Sequence, residues 1–390
     1  MYQAAVHVGI GANAIALTPI SVHAYIPSRS LPYTLSRSCS QVVNLVMMNA
    51  DFTYYTKQEI PELIWKHKYN IGYWEWELDI FPEHWMSNLQ YYDEVWAPSK
   101  FTADSITQSK GYDGTPVKVL PLPLTSEVEK GKGKNHIAAG RLQPLFELLR
   151  GTFVFVIVFD FHSFKQRKNP HASIRAFLDA FPKKTDTQQK YHLIVKSHHG
   201  KPSDLEQMRS LANNDSRVHF LSDILSDDEH TALQDRADCY VSLHRSEGYG
   251  MNILEEMGHG IPVIATNYSG NADFFPPLKP FFGSCIFAIP YKLVNLSVRA
   301  GPYGEGNRWA DPDHESAVRA MREVVKNNCK QESGEKISQL VFSHFGMKAV
   351  GDQIRRLLND SWEKILEKEK TMMLAFEASE KAAQESYRKK

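Results

Sequence analysis

Short runs of β-branched and aromatic residues alternate along this chain with stretches of helical spacing, and this alternation limits the possible folds more than any other feature. Two such runs joined by a helix form a βαβ unit, in which the strands lie parallel in one sheet. The runs fall into two sets of six, first AAVHV, VHAYI, VNLVMM, NIGYW, EVWAP and VKVLPL, and then FVFVIVF, YHLIVK, RVHF, CYVSLH, PVIAT and CIFAI. The sequence therefore predicts an α/β protein with two doubly wound, Rossmann-like domains.

The length of 390 residues also favours two domains, because a single hydrophobic core seldom grows to that size. We expect a first domain over residues 1–135 and a second over residues 152–345. Between them, residues 136–151 belong to a stretch that is polar and contains glycine at first, and we interpret them as a linker. Residues 346–390 are rich in both charge signs, which predicts a solvated C-terminal helical extension that frays at its end.

The charge balance excludes some classes of partner. Lys plus Arg and Asp plus Glu both number 45, and the isoelectric point is near 7.3. No strong field therefore favours nucleic acid or an anionic membrane. The longest apolar run is well short of the ~20 residues that span a bilayer, so we expect no transmembrane segment, although peripheral membrane contact stays open.

The spacing of the cysteines bears on whether the chain contains a zinc site or disulfides. The chain has four, Cys39, Cys239, Cys285 and Cys329, which lie far apart and form no C-x-x-C pair. This spacing indicates neither a zinc site nor a disulfide framework. A reducing, cytoplasmic setting fits that pattern.

The segment LHRSEGYGMNILEEMGHGIPVIATNYSGNADF, residues 243–274, has the pattern of a ligand site at the carboxyl end of a strand. A buried strand precedes a glycine-rich turn, and a helix follows. Gly248 and Gly250 allow the backbone to approach a ligand, and free N–H groups at a helix start favour phosphate. Glu247 and Glu255 flank the turn, where carboxylates can accept sugar hydroxyls. For an isolated pair, a turn cap and a favourable helix dipole remain an alternative explanation.

This segment resembles the donor site of retaining glycosyltransferases with the GT-B fold, in the large group 1 family that includes sucrose synthases and bacterial mannosyltransferases. Members carry an acid, Gly, an aromatic residue, Gly, and a second acid eight positions after the first, followed by a G-x-P-V strand and a glycine loop. The matching residues here are Glu247, Gly248, Tyr249, Gly250, Glu255, Gly260, Pro262, Val263, Ala265, Ser269 and Gly270. The resemblance implies two domains that face each other across a cleft, with the nucleotide-diphosphate sugar bound by the second.

A weaker resemblance covers FDFHSFKQRKN, where the family places basic residues against the diphosphate. Lys168 matches the family lysine, but His162 stands where the family usually has arginine. Arg167 is a further phosphate candidate. Lys196 ends the run LIVK at the edge where ligands bind, although it can equally snorkel to solvent. Taken alone, Lys168 would be read as a surface lysine.

Other candidates complete the expected site. The donor loop continues into Met251 and Asn252. In the first domain, Gly9 and Gly11 form a partial G-x-G-x-x-A, which the resemblance implies could approach the donor phosphates. Glu75, Trp76 and Glu77 are acceptor-side candidates, because aromatic rings and carboxylates suit carbohydrate, although an ordinary domain edge explains them equally well. We expect no metal site, because no His, Asp or Cys cluster has metal-ligand spacing.

The resemblance implies a retaining, metal-independent hexosyltransferase that needs no cofactor beyond its nucleotide-sugar donor. Lys168 would stabilise the departing diphosphate, Glu247 would hold the sugar and Glu255 the ribose. The acceptor would be a glycan or a lipid-linked sugar. Two alternatives remain open: a sugar-nucleotide epimerase on the same fold, and a nucleotide-sugar-binding protein with little transferase activity.

Overall fold

The structure is a computed structural model that describes residues 1–10, 42–59, 65–66, 68–125, 140–183, 190–296, 299, 302–327 and 329–388. The chain divides into two compact units. The first unit comprises Met1–Trp76, Ile80–Pro121 and Met347–Lys390, and the second comprises Glu77–Asp79 and Leu122–Gly346.

The strands and helices are numbered along the described part of the chain. The strands are β1 (Val43–Val46), β2 (Tyr69–Tyr73), β3 (Glu94–Ala97), β4 (Val117–Val119), β5 (Phe153–Asp160), β6 (Tyr191–His198), β7 (Val218–Leu221), β8 (Cys239–Ser242), β9 (Val263–Thr266), β10 (Ile286–Ile289), β11 (Tyr291–Asn295) and β12 (Arg308–Pro312). The helices are α1 (Tyr2–His7), α2 (Thr53–Glu59), α3 (Glu83–Met86), α4 (Lys100–Gln108), α5 (Gln143–Leu148), α6 (Lys165–Lys168), α7 (Pro170–Ala180), α8 (Pro202–Leu211), α9 (Asp227–Arg236), α10 (Met251–Gly258), α11 (His314–Val324), α12 (Cys329–Phe345), α13 (Met347–Asp360) and α14 (Trp362–Arg388). None of the helices described has both the length and the apolar character needed to cross a bilayer.

The sheet of the first unit is parallel, in the order β1-β2-β3-β4. All four strands coincide with predicted runs to within one residue at the start of β2, so that part of the prediction is confirmed. The two central strands, β2 and β3, are buried at every residue. Burial along the whole strand is typical of a parallel sheet that is covered on both faces.

The prediction of a strand at AAVHV is wrong, because these residues lie in and just after helix α1. Ala4 and Ala5 are buried, and the Ala4 carbonyl lies against Gly351 of α13, where a Cβ would collide with it. Helix packing therefore overrides the short apolar pattern. Gly9 follows this helix with φ +77°, rather than following a strand. The predicted strand VHAYI and Gly11 lie outside the described residues.

Residues 347–390 belong to the first unit, although the sequence suggested a separate solvated tail. Polar contacts fasten α13 and α14 to the sheet edge. Ser361 Oγ donates a hydrogen bond to Glu94 Oε2 at 2.8 Å and accepts one from Lys118 Nζ at 2.7 Å, while Lys368 Nζ donates to Asp93 Oδ2 at 2.6 Å. The mixed charges of the tail thus include specific partners for the ends of β3 and β4, which its composition alone does not reveal.

The second unit contains a parallel six-stranded sheet in the order β10-β9-β8-β5-β6-β7, and all six predicted runs form these strands. Counted along the chain within this unit, the order is 3-2-1-4-5-6, which is that of the dinucleotide-binding Rossmann fold. The topological switch point lies between β5 and β8. The antiparallel pair β11–β12 was not predicted from the sequence.

Side chains of the central strands alternate between two buried clusters, one on each face of this sheet. Val154 and Val156 of β5 contribute to the cluster that includes α10 and α12, while Phe155 and Ile157 contribute to the cluster that includes α7 and α11. Successive side chains of a strand point to opposite faces, so an unbroken apolar run fills both layers. β5, which lies between β8 and β6, therefore contributes to the core on both faces of the sheet.

Residues 140–151, expected to lie in the linker, pack onto the second unit. Leu142 and Leu149 are buried in its core. Arg141 makes two hydrogen bonds of 3.0 Å to the carboxylate of Glu229, which caps α9. Hydrogen bonds from Arg141 and from the Ser226 backbone lower the pKa of Glu229 to about 2. Residues 136–139 of the expected linker lie outside the described residues.

A disulfide joins Cys285 to Cys329, contrary to the expectation from cysteine spacing. The two residues are 44 positions apart, but the fold brings their Cα atoms to 5.6 Å, at the start of β10 and of α12. The spacing of cysteines along the chain does not show which of them the fold brings close enough to form a disulfide. Cys239 is a buried free thiol.

Candidate functional site

The switch point of the six-stranded sheet brings two loops together. After β5 come the turn 161–163 and helix α6, and after β8 come residues 243–250 and helix α10. The backbone N–H of Arg245 donates to the carbonyl of Arg167 at 2.8 Å, which joins the loops directly. In open parallel sheets ligands bind in the crevice at this point, beyond the carboxyl ends of the strands.

Glu247 lies in this crevice between two basic residues. Its Oε1 accepts a hydrogen bond from Lys168 Nζ at 2.6 Å, and its Oε2 accepts one from Arg167 Nη1 at 3.1 Å. Burial on its own would raise the pKa of Glu247, but the charges of Lys168 and Arg167 outweigh it and lower the pKa to about 2. The structure thus brings together three residues predicted from two separate motifs, and it keeps the carboxylate ionised.

Arg167 is buried and makes further contacts. Its Nη1 also donates to the Ser246 carbonyl at 2.8 Å, and its Nη2 lies 3.7 Å from Glu77 Oε1. Burial on its own would lower the pKa of Arg167, but Glu77 and Glu247 raise it further above its usual value. Burial lowers the pKa of Lys168, with Glu247 opposing that effect. The two cations therefore differ: Arg167 is a fixed charge, and Lys168 responds to its surroundings.

Glu77, predicted on the acceptor side, belongs to the second unit together with Asp79. Its backbone carbonyl accepts a hydrogen bond from Ser246 Oγ. Asp79 Oδ2 accepts a hydrogen bond from Arg308 Nε at 2.8 Å. Together with the contact to Arg167, they place Glu77 in the second unit beside the residues around Glu247.

Glycines shape the turn before α10 by allowing close backbone contacts. Gly250 has φ +93°, and a Cβ there would lie 3.0 Å from Asn271 Cβ. Gly270 lies against the backbone of Gly248, where a Cβ would collide with the carbonyl. Only glycine fits easily at these positions. The turn leads into the start of α10, where the first N–H groups of a helix can face an anion.

The remaining predicted residues of this loop differ in exposure. Tyr249 is buried, donates from its hydroxyl to the Leu122 carbonyl at 2.8 Å and packs edge-on against Phe274. Its side chain therefore serves the core rather than the crevice. Met251 is half-buried and Asn252 is exposed at the start of α10.

Glu255 and Glu256 stand one turn into α10 and are both perturbed by burial. Desolvation raises the pKa of Glu255 to about 7 and that of Glu256 to about 8. Glu256 Oε1 is 3.4 Å from Gln234 Nε2, whereas its buried Oε2 has no hydrogen-bond partner within the described part of the chain. Glu256 is a core carboxylic acid, and the half-buried Glu255 is the one of the pair that can meet a ligand.

The other predicted cations lie elsewhere on this sheet edge. His162 stacks on His199, with ring centroids 4.3 Å apart. Lys196 is fully buried, and its Nζ donates to the carbonyls of Ser197 and Asp223 at 2.9 and 2.8 Å. Burial lowers the pKa of Lys196 to about 8. These contacts do not include the carboxylate of Glu247.

Three of the predicted residues that the structure describes belong to the first unit. Gly9 lies just after α1, where a Cβ would meet open space. Glu75 is exposed, and its backbone N–H donates to Asn49 Oδ1 at 3.1 Å. Trp76 is buried and donates from its indole N–H to the Ile80 carbonyl at 2.7 Å. Of these three, only Glu75 presents an exposed side chain to solvent.

Sequence reasoning missed a buried polar pair beneath the glycine turn. His244 Nε2 and Asn271 Oδ1 are 2.9 Å apart, and Asn271 Nδ2 donates to the Thr266 carbonyl at 2.9 Å. Ser269 Oγ accepts a hydrogen bond from the Glu247 backbone N–H at 2.7 Å. The sequence signal that could have revealed this pair is His244 itself, a polar residue at the end of the apolar run CYVSLH. These contacts hold the backbone of Glu247 in place.

Comparisons with known proteins relate part of the chain to one family. Residues 156–283 match the family model described as Glycosyl transferases group 1. No curated protein matches the chain closely in sequence. The matched segment runs from β5 to the residues before β10 and so contains Lys168, Glu247 and Glu255.

Solved structures share the fold at low sequence identity. Anabaena Alr3699/HepE, in complex with UDP and glucose, is 15% identical, with 82% of this chain and 78% of that chain covered and a TM-score of 0.58. Sucrose-phosphate synthase from Thermosynechococcus elongatus is 14% identical, with 82% and 74% covered and a TM-score of 0.57. A glycosyltransferase from Rickettsia africae is 12% identical, with 83% and 76% covered and a TM-score of 0.57. Residues 156–283 are therefore similar to the group 1 glycosyl transferases, the fold is that of GT-B proteins, and the chain is an enzyme of the glycosyltransferase class.

Proposed function

We propose that the protein transfers a hexosyl group from a nucleoside diphosphate sugar to an acceptor hydroxyl, with retention of anomeric configuration. The observation that carries this proposal is the ionised Glu247 carboxylate held between Lys168 and Arg167 at the switch point of the six-stranded sheet. An anionic oxygen pair beside a cation suits a ligand that presents sugar hydroxyls on one side and phosphates on the other.

The diphosphate lies at the start of α10 and near Lys168. Gly248 and Gly250 open the backbone at this point, and the helix N–H groups supply partial positive charge. The Lys168 ammonium has three N–H donors, of which Glu247 uses one, so a phosphate oxygen can take another. An incoming phosphate favours the charged form of Lys168 and so opposes the effect of burial on its pKa.

Glu247 and Glu255 contact different parts of the donor. Glu247 accepts hydroxyls of the transferred sugar, and Glu255 contacts the ribose from one turn into α10. Because the pKa of Glu255 is about 7, its carboxyl group is partly protonated near neutrality and can either accept from or donate to a ribose hydroxyl. The likeness to HepE, which is solved with UDP and with UDP-glucose, supports a uridine donor as the first one to test.

The transfer step breaks the bond between the anomeric carbon and the diphosphate oxygen and forms a bond from that carbon to the acceptor oxygen. The acceptor proton passes to the departing phosphate on the same face, so configuration is retained. Lys168 and the helix N–H groups stabilise the charge that develops on the leaving group, and this step takes no metal ion. Glu247 stays in its ion pairs and does not act as a nucleophile.

A hydrolysis assay tests the proposal without knowledge of the acceptor. Uridine, guanosine and adenosine diphosphate sugars are incubated with the full chain, and sugar release is followed together with calorimetric binding. We expect the nucleotide sugars of one base to bind and to release their sugar slowly. The Glu247→Gln variant should still bind the nucleotide but should no longer release the sugar. Sugar isomerisation without release would indicate an epimerase instead, and binding without either reaction a non-catalytic binding protein. The group 1 domain favours neither of these alternatives.

A further inference from the structure

A cluster of potential metal ligands lies at the carboxyl ends of β5 and β6, apart from the carboxylate of Glu247. Asp160, His162 and His199 each offer one ligand atom, and these atoms all lie within 4.8 Å of one another. His199 Nδ1 is 3.0 Å from both oxygens of Asp160. The His162 ring is parallel to that of His199, at an interplanar angle of 4°. Two imidazoles and one carboxylate thus share one small volume.

The sheet register creates this cluster. Asp160, the last residue of β5, pairs with His198, the last residue of β6, so the next residue, His199, lies beside Asp160. Asp160 Oδ1 also accepts from the His162 backbone N–H at 2.8 Å, which closes the turn 161–163. Phe161 packs against Gly200, where a Cβ would come within 2.5 Å of the ring. Both loops are therefore fixed next to each other.

The backbone at His199 adds a second observation. Its φ of +53° lies in the left-handed region, which a non-glycine residue adopts at a cost. That conformation turns the imidazole towards Asp160, at the 3.0 Å contact. The Asp160 carboxylate thus contacts the His199 ring and the His162 backbone, while Lys196 of β6 donates to the carbonyls of Ser197 and Asp223.

We propose that Asp160, His162 and His199 bind one divalent transition-metal ion of the zinc type. Two neutral imidazole nitrogens and one carboxylate form a ligand set that zinc prefers, whereas magnesium and calcium favour oxygen ligands. His199 gives up its hydrogen bond to Asp160 when the ion binds, because both atoms then coordinate the metal. The exposed, stacked rings of His162 and His199 must also rotate out of parallel, because an imidazole nitrogen coordinates a metal in the plane of its ring. Three protein ligands leave a fourth position for water or an anion, as in open zinc sites.

The ion adds positive charge to the loop that follows β5, six residues before Lys168. It also ties that loop to the one that follows β6, since the ligands come from both. The ion takes no part in the transfer step, and its binding is measurable without donor or acceptor.

The test uses the full chain, freed of metal by a chelator, and titrates it with Zn²⁺ and with Mg²⁺ by calorimetry. Co²⁺ serves as a second probe, since its visible absorption reports the number and type of ligands. We expect one zinc ion per chain in preference to magnesium, and a loss of zinc affinity of more than about tenfold in His162→Ala and in His199→Ala. His162→Gln, which conserves size, should lose affinity similarly and guards against misfolding of the alanine variants.

The chain offers a matched control in His314, whose Nε2 lies 2.8 Å from Asp179 Oδ2 but which is not part of the three-residue cluster. His314→Ala removes a similar histidine–aspartate pair and should leave zinc affinity unchanged. Circular dichroism establishes that each variant is folded. Absence of zinc binding by the unmodified chain would overturn the proposal. So would equal zinc affinity in the folded His162→Ala, His199→Ala and His314→Ala variants, because the ion would then be bound elsewhere.

Discussion

Lys168 Nζ lies 2.6 Å from Glu247 Oε1, although the two residues are 79 positions apart and belong to the loops after β5 and β8. The strand order 3-2-1-4-5-6 makes those two loops neighbours. The contact joins a candidate phosphate ligand to a candidate sugar ligand, so that each residue orients the other. Substitutions at these two residues and at the buried acids of α10 should therefore have separable effects on folding and on donor binding.

Removal of the Glu247 charge should destabilise the protein. In Glu247→Ala, the buried Arg167 and Lys168 lose their shared carboxylate, which typically costs about 3 kcal/mol. Urea denaturation at neutral pH measures the free energy of unfolding. As a control, Glu75→Ala changes an exposed carboxylate. A similar, small change in both variants would contradict the role of the ion pairs.

Glu247 and Glu255 should differ in which part of the donor they hold. Glu255→Ala should weaken both the free nucleoside diphosphate and its sugar conjugate by about tenfold, the loss expected for about 1.4 kcal/mol of ribose contacts. Glu247→Gln should spare the free nucleotide and weaken only the conjugate. Calorimetric titration of each variant with the two ligands makes the comparison. Equal losses for the free nucleotide in both variants would refute the division of roles.

The buried Glu256 should make stability fall as the pH rises. Burial raises its pKa from 4.5 to about 8, so the unfolded state ionises first and is stabilised relative to the folded state as the pH rises above about 4.5. The stabilising difference is complete below that pH and is lost as the pH rises through about 8. Glu256→Gln, which cannot ionise, should therefore be more stable than the unmodified chain at pH 8.5, by on the order of 3 kcal/mol.

Urea denaturation at pH 5 and pH 8.5 measures this difference. The half-buried Glu255, with a pKa of about 7, shifts in the same direction, so Glu255→Gln provides a comparison with a smaller expected gain. Parallel pH profiles for the unmodified chain and Glu256→Gln would show that Glu256 is solvated and ionises normally.

The conformation of Gly250 should matter for the donor and not only for the fold. Gly250→Ala forces a side chain into φ +93° and into contact with Asn271, so the turn before α10 must shift. Gly283→Ala is matched, because Gly283 has φ +73° but open space around it, and it lies far along the chain from that turn. Both variants should lose about 1 kcal/mol of stability. Only Gly250→Ala should also weaken nucleotide binding, measured by calorimetry; equal affinity in both variants would argue against a backbone contact to the phosphates.

The six-stranded sheet of the second unit was predictable from the sequence because its strands are continuous β-branched and aromatic runs, as in FVFVIVF of β5. The pairing of Lys168 with Glu247 follows only once the strand order is known, since local patterns carry no information on contacts 79 residues apart. Helix α1 was mistaken for a strand because alanine and valine in five residues fit either period. The Cys285–Cys329 disulfide and the approach of His199 to Asp160 likewise depend on tertiary contacts.

In the proposed reaction, Lys168 stabilises the departing diphosphate of a nucleotide sugar. The most direct test is the rate of sugar release from the preferred donor by Lys168→Met, compared with Lys165→Met on the same short helix, whose Nζ contacts Gln207 and Asp204 instead. We predict that Lys168→Met loses about 100-fold or more in rate while Lys165→Met keeps the rate of the unmodified chain. Equal rates in the two variants would contradict the account, because the leaving group would then depend on a different cation.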